Sequence, residues 1–285
     1  MKRYRVLTAL LLATTFAEAQ RVHVGLFGGL SAYNGDLTDK IFPKKVTNGA
    51  IGVTVNYEWK DQVMFRGGLT YAVAGGADRY SDKADLVARN LSFETSILEF
   101  SLVGEYYFLN LYDHRVSPYI FGGLAVYHYN PYTYSNGNKV YLKPLSTEGQ
   151  GLAGYPGRQP YGLTQFAMPF GGGIKFAISD NLRVGVEVGL RKLFTDYFDD
   201  VSSTYADPND LLATKGQLAV DLSYRGDELP NGDPVYPGKG ATRGGETKKD
   251  MYYFSGIHLT YRLGGTGGLF GSSSKRKYGC PVVPL

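Results

Sequence analysis

NLRVGVEVGLRKLF, residues 181–194, alternates strictly between two kinds of side chain. Leu182, Val184, Val186, Val188 and Leu190 fall on one face. Arg183, Gly185, Glu187, Gly189 and Arg191 fall on the other. A period of two is the period of a β-strand. A soluble sheet would turn the valines into a core and the charges into water. A membrane barrel would turn the valines to lipid and fold the charges into its lumen. The rest of the chain has to choose between them.

Seven other segments carry the same alternation, at about 21–33, 49–59, 63–75, 91–108, 117–130, 165–177 and 250–263. The connections between them alternate in length. Lys60-Asp61-Gln62, the NLYDHRV segment from Asn110 and Ser179-Asp180-Asn181 are short, whereas 34–48, 76–90, 131–164 and 195–249 are long. A sandwich gives no reason for that pattern. An up-and-down membrane barrel does, with short turns at one end and long loops at the other. The expected fold is therefore an all-β, eight-stranded antiparallel up-and-down transmembrane β-barrel over residues 20–263. A secreted soluble barrel or sandwich with solvated charges is the competing reading.

Closing a barrel pairs every backbone group without leaving an edge. A cation on the lipid face at mid-bilayer costs about 2–4 kcal/mol. Arg66, Glu99, Glu105, Lys175, Arg183, Glu187, Arg191 and Arg262 are therefore expected to point inward and pair as a lumen charge network. Gly52, Gly68, Gly171, Gly173, Gly185, Gly189 and Gly256, on the same parity, would make room for them. Eight strands leave an interior that side chains just fill, so no solute pathway is expected. Aromatics near strand ends (Tyr57, Trp59, Tyr106, Tyr107, Phe108, Tyr119, Tyr127, Tyr129, Phe194, Tyr252, Tyr253 and Tyr261) fit interfacial girdles.

The N-terminus, MKRYRVLTALLLATTFAEAQ, has a basic start, a short apolar run and Ala17-Glu18-Ala19. This is the pattern of a secretory signal peptide over residues 1–19. Its removal takes away three cations and one anion, so the formal net charge of +4 falls to +2. That balance argues against nucleic acid as a partner. Nothing after it has eighteen consecutive apolar residues, which leaves only strands to cross a bilayer. The single cysteine, Cys280, excludes an intrachain disulfide framework.

Catalytic patterns are scarce. The four histidines are scattered, and no HExxH, GxSxG or paired cysteine occurs. A lipid-modifying enzyme would need His258 at the lipid face, but its parity puts it inward. GGGIK at 171–175 lacks the spacing and following helix of a phosphate loop. No catalytic, cofactor or metal residue is assigned, and the expectation is a non-enzyme. Asp196, Asp199, Asp200, Asp207 and Asp210 read as a solvated acidic loop, with a calcium site as the alternative.

After the last strand comes GGTGGLFGSSSKRKYGCPVVPL, residues 264–285. Gly264–Ser274 reads as a flexible linker. Lys275, Arg276, Lys277, Tyr278, Cys280 and Pro281 then form a compact basic, aromatic and thiol-bearing segment. It could be a passive end, touch anionic headgroups, or dock on a partner.

GLFGGLSAYNGDLTDK at 25–40, with Tyr33, Gly35, Asp36 and Leu37, and the later Cys280-Pro281, resemble a family of small outer-membrane barrels from Bacteroidota. That family includes PorG of the type IX secretion and gliding machinery. The resemblance implies an outer-membrane barrel, and an even strand number puts both termini on the periplasmic side. It also implies association with ring lipoproteins of the PorK and PorN (GldK and GldN) type, and with outer-membrane lipid. On this reading the tail residues carry the partner contact. On residues alone, Gly35-Asp36 is a turn at the rim of strand one whose Asp accepts from backbone amides. A generic surface barrel with ligand-binding or adhesive loops remains the alternative.

Overall fold

A computed structural model describes residues 21–38, 46–245 and 249–263. Among these residues nine strands follow one another: β1 (Val22–Asn34), β2 (Asn48–Lys60), β3 (Val63–Ala77), β4 (Ser92–Tyr107), β5 (Val116–Ser135), β6 (Asn138–Tyr141), β7 (Thr164–Ala177), β8 (Leu182–Leu193) and β9 (Met251–Arg262). Eight of them run in the order β4-β3-β2-β1-β9-β8-β7-β5, and β4 pairs with β5 to close the sheet. Every pairing is antiparallel. β6 stands outside the circle. It pairs with the far end of β5, in the lane that β7 leaves beyond Thr164.

The alternation of the sequence becomes inside and outside. On β8, Arg183, Glu187 and Arg191 are buried while Val186 and Val188 are exposed. Leu26, Val53, Leu69, Phe100, Leu124, Phe170, Val186 and Ile257, one from each barrel strand, are 45–64% exposed. An apolar belt around the whole circumference is far beyond what a soluble monomer presents to water. It is the lipid-facing band of a membrane barrel. The soluble alternative is thereby excluded.

Parity also corrects one expectation. Tyr107, Tyr119, Tyr127, Tyr129 and Tyr252 are buried in the lumen rather than set in outer girdles. They share a face with Glu105, Phe121 and Phe254. Nearness to a strand end says nothing about the side on which a ring lies. Trp59, Tyr106, Phe108 and Phe194 do point outward.

The long connections share one end of the barrel. The β3–β4 connection carries a helix α1 (Ala84–Arg89), and the β8–β9 connection carries α2 (Pro208–Lys215) and α3 (Gln217–Ser223). Asp207 caps α2 by accepting from the Asn209 amide at 2.9 Å, with Pro208 in the first turn. At the other end the chain enters β1 and leaves β9 side by side, the Leu263 amide donating to the Val22 carbonyl at 2.8 Å.

Candidate functional site

The lumen is filled in tiers. At the short-turn end, Arg183 donates to Glu58 at 3.2 Å, and His23 lies 3.6 Å from the same carboxylate. Tyr112, on the turn between β4 and β5, folds across this mouth. Its hydroxyl donates to Glu58 at 2.6 Å, and the guanidinium carbons of Arg183 and Arg262 lie 5.2 and 5.6 Å from its ring centre.

The middle tier is built on Arg66. It reaches Glu187 at 2.7 Å and Glu105 at 3.1 Å. Lys175 adds a second cation to Glu105 at 3.4 Å. Tyr119 donates to Glu187 at 2.5 Å, and Tyr107 donates to Glu105. Arg66 also lies 3.2 Å from Nδ1 of His258. A guanidinium only donates, so Nδ1 accepts and Nε2 keeps the hydrogen that it gives to Thr54 at 2.9 Å. Ligand atoms of Glu105, Glu187 and His258 fall within 4.8 Å of one another, spacing that a metal could bridge. Here Arg66 and Lys175 already use them, so the tier works as an ion cluster.

Above it, Arg191 forks onto Glu99 at 3.1 and 3.2 Å, and Tyr252 donates to Glu99 at 2.6 Å. A void of about 20 Å³, room for about one water, is lined by Thr54, Arg66, Thr70, Ser101, Glu187 and Arg191 among others. Charges buried this deeply stay only where each meets its opposite. Of the eight expected lumen charges, seven are buried in these tiers. Arg262 is partly buried at the short-turn mouth. The sequence reading left out Glu58, although it shares the inward parity of Thr54 and Asn56. It supplies the fourth anion.

The mouth at the long-loop end is closed by an aromatic plug. Phe198, from the β8–β9 connection, stacks on Tyr129, Tyr252 and Tyr33 with centroids 5.3, 5.5 and 5.8 Å away. Over it lies a polar lid. Arg243 pairs with Glu148 at 3.0 Å, and Arg89 pairs with Asp78 at 2.7 Å.

The Tyr33, Gly35, Asp36 and Leu37 segment organises this lid. The fully buried Tyr33 hydroxyl contacts Asp199 and lies 3.1 Å from Asp250. Gly35 and Thr38 form the expected tight turn. A Cβ on Gly35 would fall 2.1 Å from both the Tyr33 hydroxyl and the Asp250 carboxylate, which is why no larger residue fits. Asp36 accepts an amide hydrogen as expected, but from the remote Gly245, at 3.0 Å. Leu37 is buried.

The acidic stretch is therefore not a solvated loop. Asp196, Asp199 and Asp200 are buried, whereas Asp207 and Asp210 stay partly exposed. Burial pushes the carboxyls of Asp196 and Asp200 up to about 6. Burial, and next the negative charge of Asp250, hold Asp199 well above the carboxylate range. Asp250 is raised as strongly, first by burial and then by the charges of Asp196 and Asp36. The spacing gave no sign of this, because the partners come from residues 33, 36, 148 and 250. The tail residues Lys275, Arg276, Lys277, Tyr278, Cys280 and Pro281, and residues 1–19, lie outside the described residues.

A closed eight-stranded barrel with a lipid-facing belt, a paired lumen and long loops gathered at one end defines an outer-membrane-type β-barrel. The chain is similar to several solved structures. Neisserial surface protein A has 7% identity and a TM-score of 0.43, over 85% of this chain and 97% of that one. OprG from Pseudomonas aeruginosa has 8% identity and a TM-score of 0.40, over 86% and 98%. Ail of Yersinia pestis, in complex with the heparin analogue sucrose octasulfate, has 9% identity and a TM-score of 0.39, over 85% and 97%. No curated protein matches the chain. The chain belongs to the DUF6089 family, described as a domain of unknown function, whose model matches residues 2–215.

Proposed function

We propose that this protein is a non-enzymatic outer-membrane anchor of a secretion complex of the type IX, PorG-like kind. The barrel fixes position in the bilayer and the tail recruits a periplasmic ring lipoprotein of the PorK or PorN type. The closed lumen carries the reading. Ion pairs fill it, Tyr112 covers one mouth and Phe198 the other, which suits a barrel that holds a place rather than one that passes a solute. His258 faces that lumen, away from the lipid side where an acyl chain would arrive. The Tyr33–Leu37 segment adds support, since it matches the resemblance and organises the lid.

In this reading Lys275, Arg276 and Lys277 steer docking by charge, and Tyr278, Cys280 and Pro281 make the close contact. The short-turn end, from which the tail departs after Leu263, faces the periplasm. The test is a non-reducing crosslink and pull-down from outer membranes of full-length protein, Cys280→Ser and a 264–285 deletion. Ring lipoproteins should come down with the full-length chain and be lost with the tail. Cys280→Ser then reports whether a disulfide holds them. Isolation of all three variants alone would overturn the anchor role and move attention to the external loops.

A further inference from the structure

The hairpin at the end of β5 carries an aromatic and basic face that the barrel does not need. Leu124, Val126 and His128 point outward from β5, and the unbroken register with β4 brings Tyr132 and Tyr134 to the same side, Tyr132 buried and Tyr134 exposed. Across the ladder, Tyr141 faces Tyr132 and Lys139 faces Tyr134. The rings meet edge to face, Tyr132 with Tyr134 at 5.9 Å and with Tyr141 at 6.1 Å. The Lys139 ammonium sits 3.5 Å from the centre of the Tyr132 ring and 5.2 Å from that of Tyr141. Tyr132 is held in place by donating to Glu94 at 2.9 Å. Tyr134 and Tyr141 are exposed, as is Lys139.

Height identifies the neighbour. Leu98, at the external end of the apolar run on β4, pairs with His128. Tyr132 lies four residues further along β5, roughly 13 Å on the strand and about 10 Å along the membrane normal at the usual tilt. The headgroup layer is about 5–8 Å deep on each side of the hydrocarbon. Tyr141 pairs with Tyr132 at that height and the Lys139 ammonium reaches back over the Tyr132 ring, while Tyr134 stands about 15 Å up at the same rise and tilt. The hairpin face therefore continues the lipid-facing side of β5 from the top of the headgroup layer outward, where the saccharide of a glycolipid projects.

The chemistry fits one class of headgroup. Ring faces carry negative charge density and take the positive C–H edges of a sugar. A lysine ammonium is a compact point charge suited to phosphate. We propose that this hairpin binds the phosphorylated saccharide headgroup of an outer-leaflet glycolipid, with Tyr134 and Tyr141 against the sugar and Lys139 on the phosphate. Glu94, kept by Tyr132 on the β4 side, repels phosphate there and leaves the Lys139 side as the approach. The proposal rests on the outer-membrane reading, with the long loops outward, and is independent of any secretion partner.

The test uses the full barrel, delipidated in detergent, with lipid occupancy read by native mass spectrometry. The probes are a bis-phosphorylated acylated glucosamine disaccharide, its dephosphorylated form and phosphatidylethanolamine. Tyr134→Ala/Tyr141→Ala and Lys139→Glu should each bind the first probe roughly tenfold more weakly. Trp59→Ala/Tyr106→Ala, at the opposite rim, should bind it as the native chain does. Loss of the phosphates should mimic Lys139→Glu. Heat-shifted gel mobility confirms that each variant is a closed barrel, since the hairpin lies outside it. Equal occupancy in native and hairpin variants, or equal retention of phosphatidylethanolamine, overturns the proposal. A barrel that binds the glycolipid but pulls down no ring lipoprotein would leave it standing while the anchor role fails.

Discussion

Tyr33 and Asp250, 217 residues apart in sequence, meet at 3.1 Å in the buried roof of the barrel. A phenol has one hydrogen to give, and Tyr33 gives it to Asp199. Asp250 faces the same hydroxyl, so two carboxyls share a single donor. The roof is thus built around carboxyls that burial pushes toward their protonated form. Facing it are Asp36, Asp196, Asp200 and Glu148, with Lys249, Arg89 and Arg243 as the nearby cations.

This gives the lid a pH dependence of definite sign. The carboxyls of Asp196, Asp199, Asp200 and Asp250 are all raised above 3.8 in the folded chain. The folded state therefore binds more protons than the unfolded one, and stability falls as pH rises. The contribution of Asp196 and Asp200 is lost between about 4 and about 6, and that of the Asp199–Asp250 pair at higher pH. Hydrogen exchange over residues 195–250 should accelerate as pH goes from 4 to 8, after correction for intrinsic rates. Asp199→Asn/Asp250→Asn should flatten the response. Protection that grows with pH would sink the assignment.

Phe198→Ala should loosen the roof without opening a pore. Removing a buried aromatic costs about 3–5 kcal/mol, so proteolysis within 195–249 should speed up. The Arg66 and Arg191 tiers below remain filled. Planar bilayers should show no conductance steps with either the native chain or the variant. Stable channels from the native chain would contradict the filled lumen.

The Arg191–Glu99 fork permits a cycle. Glu99→Gln leaves a guanidinium unpaired in the lumen, at a cost of about 3–5 kcal/mol. Glu99→Gln combined with Arg191→Met should recover part of that loss. Urea titration of barrels refolded into vesicles reads both. A double variant that loses as much as the two single variants together would show that the pair is not the unit.

Val186 tests the lipid face. It stands mid-strand on β8 and is half exposed. Val186→Arg should destabilise the vesicle-embedded barrel by about 2–4 kcal/mol, and Val186→Leu should leave it unchanged. Equal tolerance of both would mean that this face does not meet lipid.

The barrel itself was legible in the sequence because period two and loop length are local properties. Arg183, Glu187 and Arg191 could be assigned inward from neighbours two residues away. The β5–β6 hairpin could also have been read. Asn136-Gly137 is the pair a tight hairpin asks for, and both residues take positive φ, 50° and 77°. The lid could not. Asp199 looks like any loop aspartate until Tyr33 and Asp250 are brought to it, and only the closed barrel does that. Tyr119 and Tyr127 are hard to place for a simpler reason: nearness to a strand end does not say which side a ring takes.

Consider how a pull on the chain after Leu263 would be borne. β9 is held on both flanks, from His23↔Arg262 to Asn34↔Met251 with β1 and from Leu182↔Tyr261 to Lys192↔Met251 with β8. Tension along its axis loads both ladders in shear, so their hydrogen bonds share the force together instead of parting one by one as at a peeling edge. Closure leaves no strand of the barrel to peel from an edge, the last one included.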